Sequence, residues 1–254
     1  MKESDKMFSF FHRTPKIHLD CYTTQPHVYQ FTPIVKSSKT IPDWWKELPN
    51  EEFTLGKDDQ GILTNQSRLN LKNCYGFLEY FQNSICVRHW ADLFVETSEE
   101  GYNYYCSTGD KPIEHNRQQI GKGFEDYHHM KLSSPWIFKE KTGIKFINLG
   151  AEWNLDKFSF RVLPGVMEFR VNSFTNVNIM LPKEQNKFII PVNQPLTNFL
   201  PLTEKKLVVK NHLITEEEYK KMSYNPSLVY FHGWRACKNM IKDNDKKCPF
   251  GFGE

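Results

Sequence analysis

The chain has 254 residues, of which 39% are hydrophobic and 15% aromatic. Its 33 basic and 30 acidic side chains leave a net charge of +3, and the basic residues are scattered among the acids, which argues against the concentrated basic face of a nucleic-acid binder. No stretch of about 18 apolar residues occurs, so no membrane span is expected, and the opening MKESDKMFSFFHRTP lacks the apolar core of roughly 7–15 residues that marks a secretory signal.

The length suits one large β domain. Cys21, Cys74, Cys86, Cys106, Cys237 and Cys248 include no CxxC pair and read as reduced thiols. The first dozen residues read as an arm. Alternating apolar residues over Lys16–Tyr22 and Val28–Val35 predict two half-buried strands. Pro42–Leu48 (PDWWKEL) predicts one or two helical turns closed by Pro49. The polar residues 50–70, with Gly56 and Gly61, predict a loop. Cys74, Phe77, Leu78 and Phe81 fall at helical spacing within Asn73–Gln82. Ser84–Thr97 and Tyr102–Ser107, separated by a Glu-Glu-Gly turn, predict a hairpin.

Residues 108–126 are polar and rich in glycine. Beyond them, strand-like runs recur at about 8–12 residue spacing from His128 to Leu200, with turn residues between, which predicts a sandwich or barrel. No helical pattern interrupts this region, which argues against a parallel sheet. From Asn211 the pattern becomes helical. Thr215-Glu216-Glu217-Glu218 is a capping box, and a further helix is expected over about Ser227–Lys242, followed by a charged, glycine-rich tail. The fold class expected is therefore mainly β, with α+β character at the C-terminus. It is an antiparallel β-sandwich or barrel with short C-terminal helices, divided as a β-rich domain over 1–210 and a helical appendage packed on it over 211–254.

Side-chain chemistry and strand parity single out the candidate sites. His128 and His129 are possible metal ligands, but adjacent residues of a strand face opposite ways and do not readily share one ion. His89 and Asp92 form an HxxD pair, one residue off the spacing that places a histidine and a carboxylate of an iron site on one strand face. His115 and Arg117, with Lys122 and two glycines, could form an anion-holding loop. Trp44, Trp45 and Trp136 could offer rings to a sugar, a base or a partner. Glu152 and Glu168 are carboxylates between apolar runs and could serve as an acid–base pair if they meet. No nucleophile elbow, cysteine-protease signature or zinc spacing is present. No cofactor is expected, with a transition metal as the alternative.

The strings IPDWWKELP, CYGFLEYF with VRHWADL, YHHMKLSSPWIFKEKTGIKF, LPGVMEF, and FIIPVNQPLTNFLPL followed by HLITEEEY form a connected pattern over about residues 16–220. The pattern resembles an uncharacterised protein family of large tailed phages and marine viruses, whose bacterial relatives form a domain of unknown function. That resemblance implies a viral origin and carries over no functional residues. The expectation is a non-catalytic phage protein, either a virion component or an interaction module. Its partners would be other virion or phage proteins or a second copy of itself, without membrane or nucleic acid, in the host cytoplasm, the virion or both. Two alternatives stay open: a cupin-like β-barrel enzyme using His115, His128 or His129, and a carbohydrate-binding module using Trp44, Trp45 or Trp136.

Overall fold

The chain enters through β1 (Lys16–Thr23), turns through the short helix α1 (Pro26–Phe31) and β2 (Val35–Lys36), and passes a 3-10 turn into α2 (Asp43–Glu47). The hairpin β3 (Glu52–Lys57) and β4 (Leu63–Arg68) leads to α3 (Tyr75–Asn83). Then come β5 (Ile85–Arg88), β6 (Leu93–Thr97), β7 (Tyr102–Cys106), β8 (Ile113–Glu114), β9 (Tyr127–Leu132), β10 (Ile137–Glu140) and β11 (Lys145–Gly150). A 3-10 turn at Glu152–Asn154 precedes β12 (Arg161–Val162), β13 (Gly165–Glu168) and β14 (Val177–Pro182). The last described elements are β15 (Asn186–Ile190), β16 (Pro195–Pro201), β17 (Lys206–Leu213) and α4 (Glu216–Ser223). These elements are taken from a computed structural model, which describes residues 15–50, 52–57, 59–68, 70–114, 124–154 and 160–223.

The strands form sheets in the orders β10-β1-β17, β13-β11-β16-β5-β2, β12-β14-β9-β8 and β15-β6-β7, with β3-β4 as a separate hairpin. None closes on itself, so among the described residues the fold is a mainly antiparallel, sandwich-like β structure rather than a barrel. One hydrophobic core draws on the first four sheets, through residues such as Leu19, Leu93, Phe146 and Ile179. At its centre Phe169 lies 5.0 Å from Phe138, 5.0 Å from Phe146 and 5.4 Å from Phe199, ring centre to ring centre. All four rings are buried, and burial of such a side chain contributes about 1.5–3 kcal/mol. The middle strand β16 is covered on both faces, with Leu196, Thr197, Asn198 and Phe199 consecutively buried. Among the described residues, no helix is long and apolar enough to cross a membrane.

Several local expectations fail for identifiable reasons. Val28–Val35 is not a strand. Pro26 opens α1 at the first helical position, Val28 is its buried residue, and the Thr32 amide closes it on the Val28 carbonyl. Beyond it, Asn211 clamps Ile34 from both sides, accepting from its amide at 3.2 Å and donating to its carbonyl at 2.9 Å. Residues 50–70 are not a loop but contain the β3–β4 hairpin, paired from Glu52↔Arg68 to Lys57↔Leu63; its polar composition conceals the alternation. Ser84–Thr97 is two strands in two sheets, broken at residues 89–92.

Among the described residues, one strand pair is parallel. β1 and β17 run side by side from Lys16↔Lys206 to Thr23↔Leu213. Parallel neighbours need a long crossover, and here the whole intervening domain supplies it. β17 continues through Leu213, so strand gives way to helix a few residues beyond the expected change at 211. The capping box forms as expected: the Thr215 amide donates to Glu218 Oε2 at 2.9 Å and the Glu218 amide to Thr215 Oγ1 at 3.2 Å. The helix expected at Ser227–Lys242 lies outside the described residues.

Candidate functional site

Where β5 ends, the chain turns a corner that also receives the β15–β16 turn. The His89 amide donates to the Gln194 carbonyl at 2.8 Å, and the Asn193 amide donates to the His89 carbonyl at 2.8 Å. Asp92 Oδ1 accepts from the Val192 amide at 2.8 Å. Asn193 takes φ 69°, the left-handed conformation that asparagine tolerates better than most residues. The HxxD pair is thus a clasp on the 191–194 turn: Asp92 holds its amide, and His89 binds it through backbone groups.

The His89 side chain is left to do something else. It is 1% exposed and stacks on the Trp90 indole, ring centres 4.9 Å apart and 11° from parallel. Its Nδ1 lies closer to the Ala91 carbonyl oxygen than to the Ala91 amide, which is 3.4 Å away. Two lone pairs repel at such a contact, so Nδ1 carries the proton and Nε2 presents a lone pair. Burial pushes the imidazole pKa down, against the pull of the Ala91 carbonyl and the Asp92 and Asp110 carboxylates. Nε2 has no hydrogen-bond partner among the described residues.

A pocket of about 80 Å³ beside it is lined by His89, Trp90, Asp110, Lys111 and Ser133 among others. Asp110 Oδ2 accepts from Trp90 Nε1 at 3.1 Å and from Thr108 Oγ1 at 2.7 Å. The Cys106 thiol lies 3.2 Å from the same Thr108 hydroxyl. Gly109, at φ 76°, turns the chain so that its amide returns to the Cys106 carbonyl and Asp110 faces the indole.

A second feature lies on the outer face of the β15-β6-β7 sheet. Ile189, Phe94 and Tyr105 are in cross-strand register and are 53%, 43% and 65% exposed. The next row on that face is Lys187, Glu96 and Asn103, with an ion pair of 2.8 Å between Lys187 and Glu96. Together they line a shallow groove of about 460 Å³. The inner face of the same strands, Leu93, Val95, Cys106 and Ile190, belongs to the core.

The residues singled out from the sequence have different fates. Trp136 is 1% exposed within the core and presents no ring to solvent; its carbonyl accepts from Thr175 Oγ1 at 2.6 Å. Trp45 stacks on Phe77 at 5.4 Å and donates to the Leu71 carbonyl, so packing occupies one face of its ring. Trp44 is 39% exposed and donates to the carbonyl of Trp153, itself 44% exposed, with ring centres 6.2 Å apart. His115 and Arg117 lie outside the described residues. His128 Nε2 bonds the Ser98 carbonyl at 2.7 Å, and His129 is the next residue of β9. Among the described residues, no three His, Cys, Asp or Glu side chains group as they would to hold a metal ion.

Glu152 and Glu168 do not meet. Gly150, over which the Glu152 carboxylate folds, and Lys145, which pairs with Glu168, are at opposite ends of β11, about 17 Å apart at ~3.4 Å per residue. Nothing local in the sequence marks Asp110, Cys106 or Trp153, because tertiary packing assembles their surroundings. The outer row had a local signal. Leu93-Phe94-Val95 and Phe188-Ile189-Ile190 are three apolar residues running, and in a strand the middle one must face away from its neighbours.

The sequence matches no protein-family model and no curated protein.

Proposed function

We propose that this chain is a phage-encoded, non-catalytic interaction module that serves as a virion component. The observation that carries this reading is the exposed row Ile189–Phe94–Tyr105. Single exposed apolar residues are ordinary, but an aligned row across all three strands of a sheet, bordered by an ion pair, has the composition of an interface centre with a polar rim. The resemblance to proteins of tailed phages supports the viral setting. The partner is another protein of the same particle, with a second copy of this chain as the self-association form of the same reading.

Mass spectrometry of purified virions tests it. The expected result is this chain at a copy number in fixed ratio to a structural protein, reduced by Phe94→Glu. Absence from particles, together with a monomeric protein in solution, rejects it. The carbohydrate reading keeps one supporting observation, the half-exposed Trp44 and Trp153 rings, and a glycan array separates it from the first.

A further inference from the structure

The β10-β1-β17 sheet has an outer face of its own, separate from the Ile189–Phe94–Tyr105 row. Ile17, Leu19, Cys21, Phe138 and Leu207 point from these strands into the core, so the residues between them face the other way. Row by row, that outer face is basic. Lys16 stands beside Lys206, and His18 beside Val208. Asp20 has Lys139 on one side and Lys210 on the other. The last row holds the partly exposed Tyr22 and His212, whose rings stack 4.7 Å apart. Asp20 is the one carboxylate in these rows, and His212 Nε2 takes it up at 2.8 Å. Among the described residues, no carboxylate forms an ion pair with Lys16, Lys139, Lys206 or Lys210. Glu204 and Glu216, the acids nearest to β17 in sequence, lie beyond its two ends.

Like charges side by side on a sheet are unfavourable, and two lysines here register the strain. Burial pushes the ammonium pKa of the half-buried Lys139 down. Lys36, at the end of β2, is pushed down by burial and then by the Lys206 charge. An anion on this face answers these charges. In sequence the lysines are far apart, and only the fold brings Lys16, Lys139, Lys206 and Lys210 together, so composition and spacing do not announce the patch. We propose that the outer face of the β10-β1-β17 sheet binds a single-stranded nucleic acid, with these four lysines on its phosphates and the Tyr22–His212 stack as a platform for a base. From Lys16 to Tyr22 the face runs about 20 Å at ~3.3 Å per residue, enough for a few nucleotides. The stacked rings favour a strand with free bases over an acidic peptide, which brings carboxylates without rings, and over a duplex, whose bases are already stacked.

The test is fluorescence anisotropy of the full chain with a labelled oligothymidylate of about 15 nucleotides, between roughly 50 and 200 mM salt. Poly-L-glutamate and a DNA duplex of matched length are the comparators. The expected result is saturable binding of the single strand whose log K falls against log salt with a slope of about −3, from four lysines at ~0.7 each. Replacing Lys16→Gln, Lys206→Gln and Lys210→Gln together is expected to weaken binding at least about tenfold and to flatten the slope by about 2. These three side chains are exposed, so the change spares the core. The matched control, Lys46→Gln with Lys145→Gln and Lys187→Gln, removes the same charge from exposed residues elsewhere and is expected to weaken binding by less than about threefold. No saturable binding at low salt overturns the proposal. So does an equal loss in the two triple variants, which would make the effect one of net charge rather than of this face. Poly-L-glutamate or duplex bound as tightly as the single strand overturns it as well, and that comparison needs no variant.

Discussion

Asn198 on β16 and His89 just past the end of β5 are both buried polar side chains, and they are treated in opposite ways. Asn198, opposite Cys86, has both ends of its amide engaged: Ser37 Oγ donates to its oxygen at 2.6 Å, and its nitrogen donates to Tyr80 OH at 2.9 Å. Tyr80 OH in turn reaches the Gly150 carbonyl at 3.3 Å. Burial pushes the neighbouring Cys86 thiol up to about 12 and the Tyr80 phenol well above its usual range, so both stay neutral in the sealed layer under α3. His89, just past the end of β5, uses its backbone and Nδ1 for structure and leaves Nε2 buried with no hydrogen-bond partner among the described residues. The first arrangement holds the fold together. The second leaves a buried acceptor that the fold itself does not use.

The comparison is tested most severely at Asn198. Asn198→Ala leaves the Ser37 and Tyr80 hydroxyls without their partner in a site that is 0% exposed. The expected loss is about 2–4 kcal/mol, read as a lower urea midpoint with unchanged slope. A loss under ~1 kcal/mol would mean that water or repacking replaces the network, and that Asn198 and His89 are not different in kind.

A smaller effect is expected where another closed polar centre meets the backbone. Glu140 is 2% exposed and accepts from the amides of Thr142, Gly143 and Ile144 at 2.8, 2.8 and 3.1 Å. The turn it clamps needs φ 77° at Gly143, where an added Cβ would lie 3.0 Å from the Arg170 guanidinium. Gly143→Ala is expected to cost about 1–2 kcal/mol in thermal unfolding. A neutral result would show that the clamp is loose.

These two cases also show what sequence alone makes legible. Strand density after His128, α2, α3 and the Thr215–Glu218 box are written in residues a few positions apart. The Asn198–Ser37 bond spans 161 residues and the Asn211–Ile34 clamp spans 177. Such pairs decide where Val28–Val35 bends and which asparagine is sealed, and no local pattern announces them. The same holds for His89. Its spacing to Asp92 is one residue off that of a ligand pair, and the fold spends Asp92 on the turn and brings Asp110 to the indole instead.

The pH response of His89 sharpens the contrast from the other side. Its folded pKa is lowered by burial, with Asp92 and Asp110 as the charged groups opposing that shift. The unfolded chain, near the ordinary 6.5, therefore takes up the proton more readily than the folded one. The contribution of neutral His89 is fully present above about 6.5 and is lost as pH falls below it, by at most ~1.4 kcal/mol per pH unit. His89→Asn keeps a donor toward the Ala91 carbonyl but does not titrate. The stability difference between wild type and variant should narrow from pH 7 to pH 5. A constant difference would mean that the imidazole is solvated in the native state and that its lone pair is not held in reserve.

Phe94 belongs to neither class, because its ring lies outside the core altogether. It touches Tyr105 at 5.9 Å across the strand pair and is 43% exposed. Phe94→Glu is therefore expected to change unfolding stability by no more than about 0.5 kcal/mol. If the outer row is an interface, the same change should weaken association with its partner by about tenfold or more. The two measurements belong together. A loss of ~2 kcal/mol in the isolated chain would mean that part of the molecule itself covers the row. Unchanged stability with unchanged association would leave the Ile189–Phe94–Tyr105 ladder as ordinary exposed surface. Unchanged stability with lost association is the outcome that separates a surface built for a partner from one built for the fold.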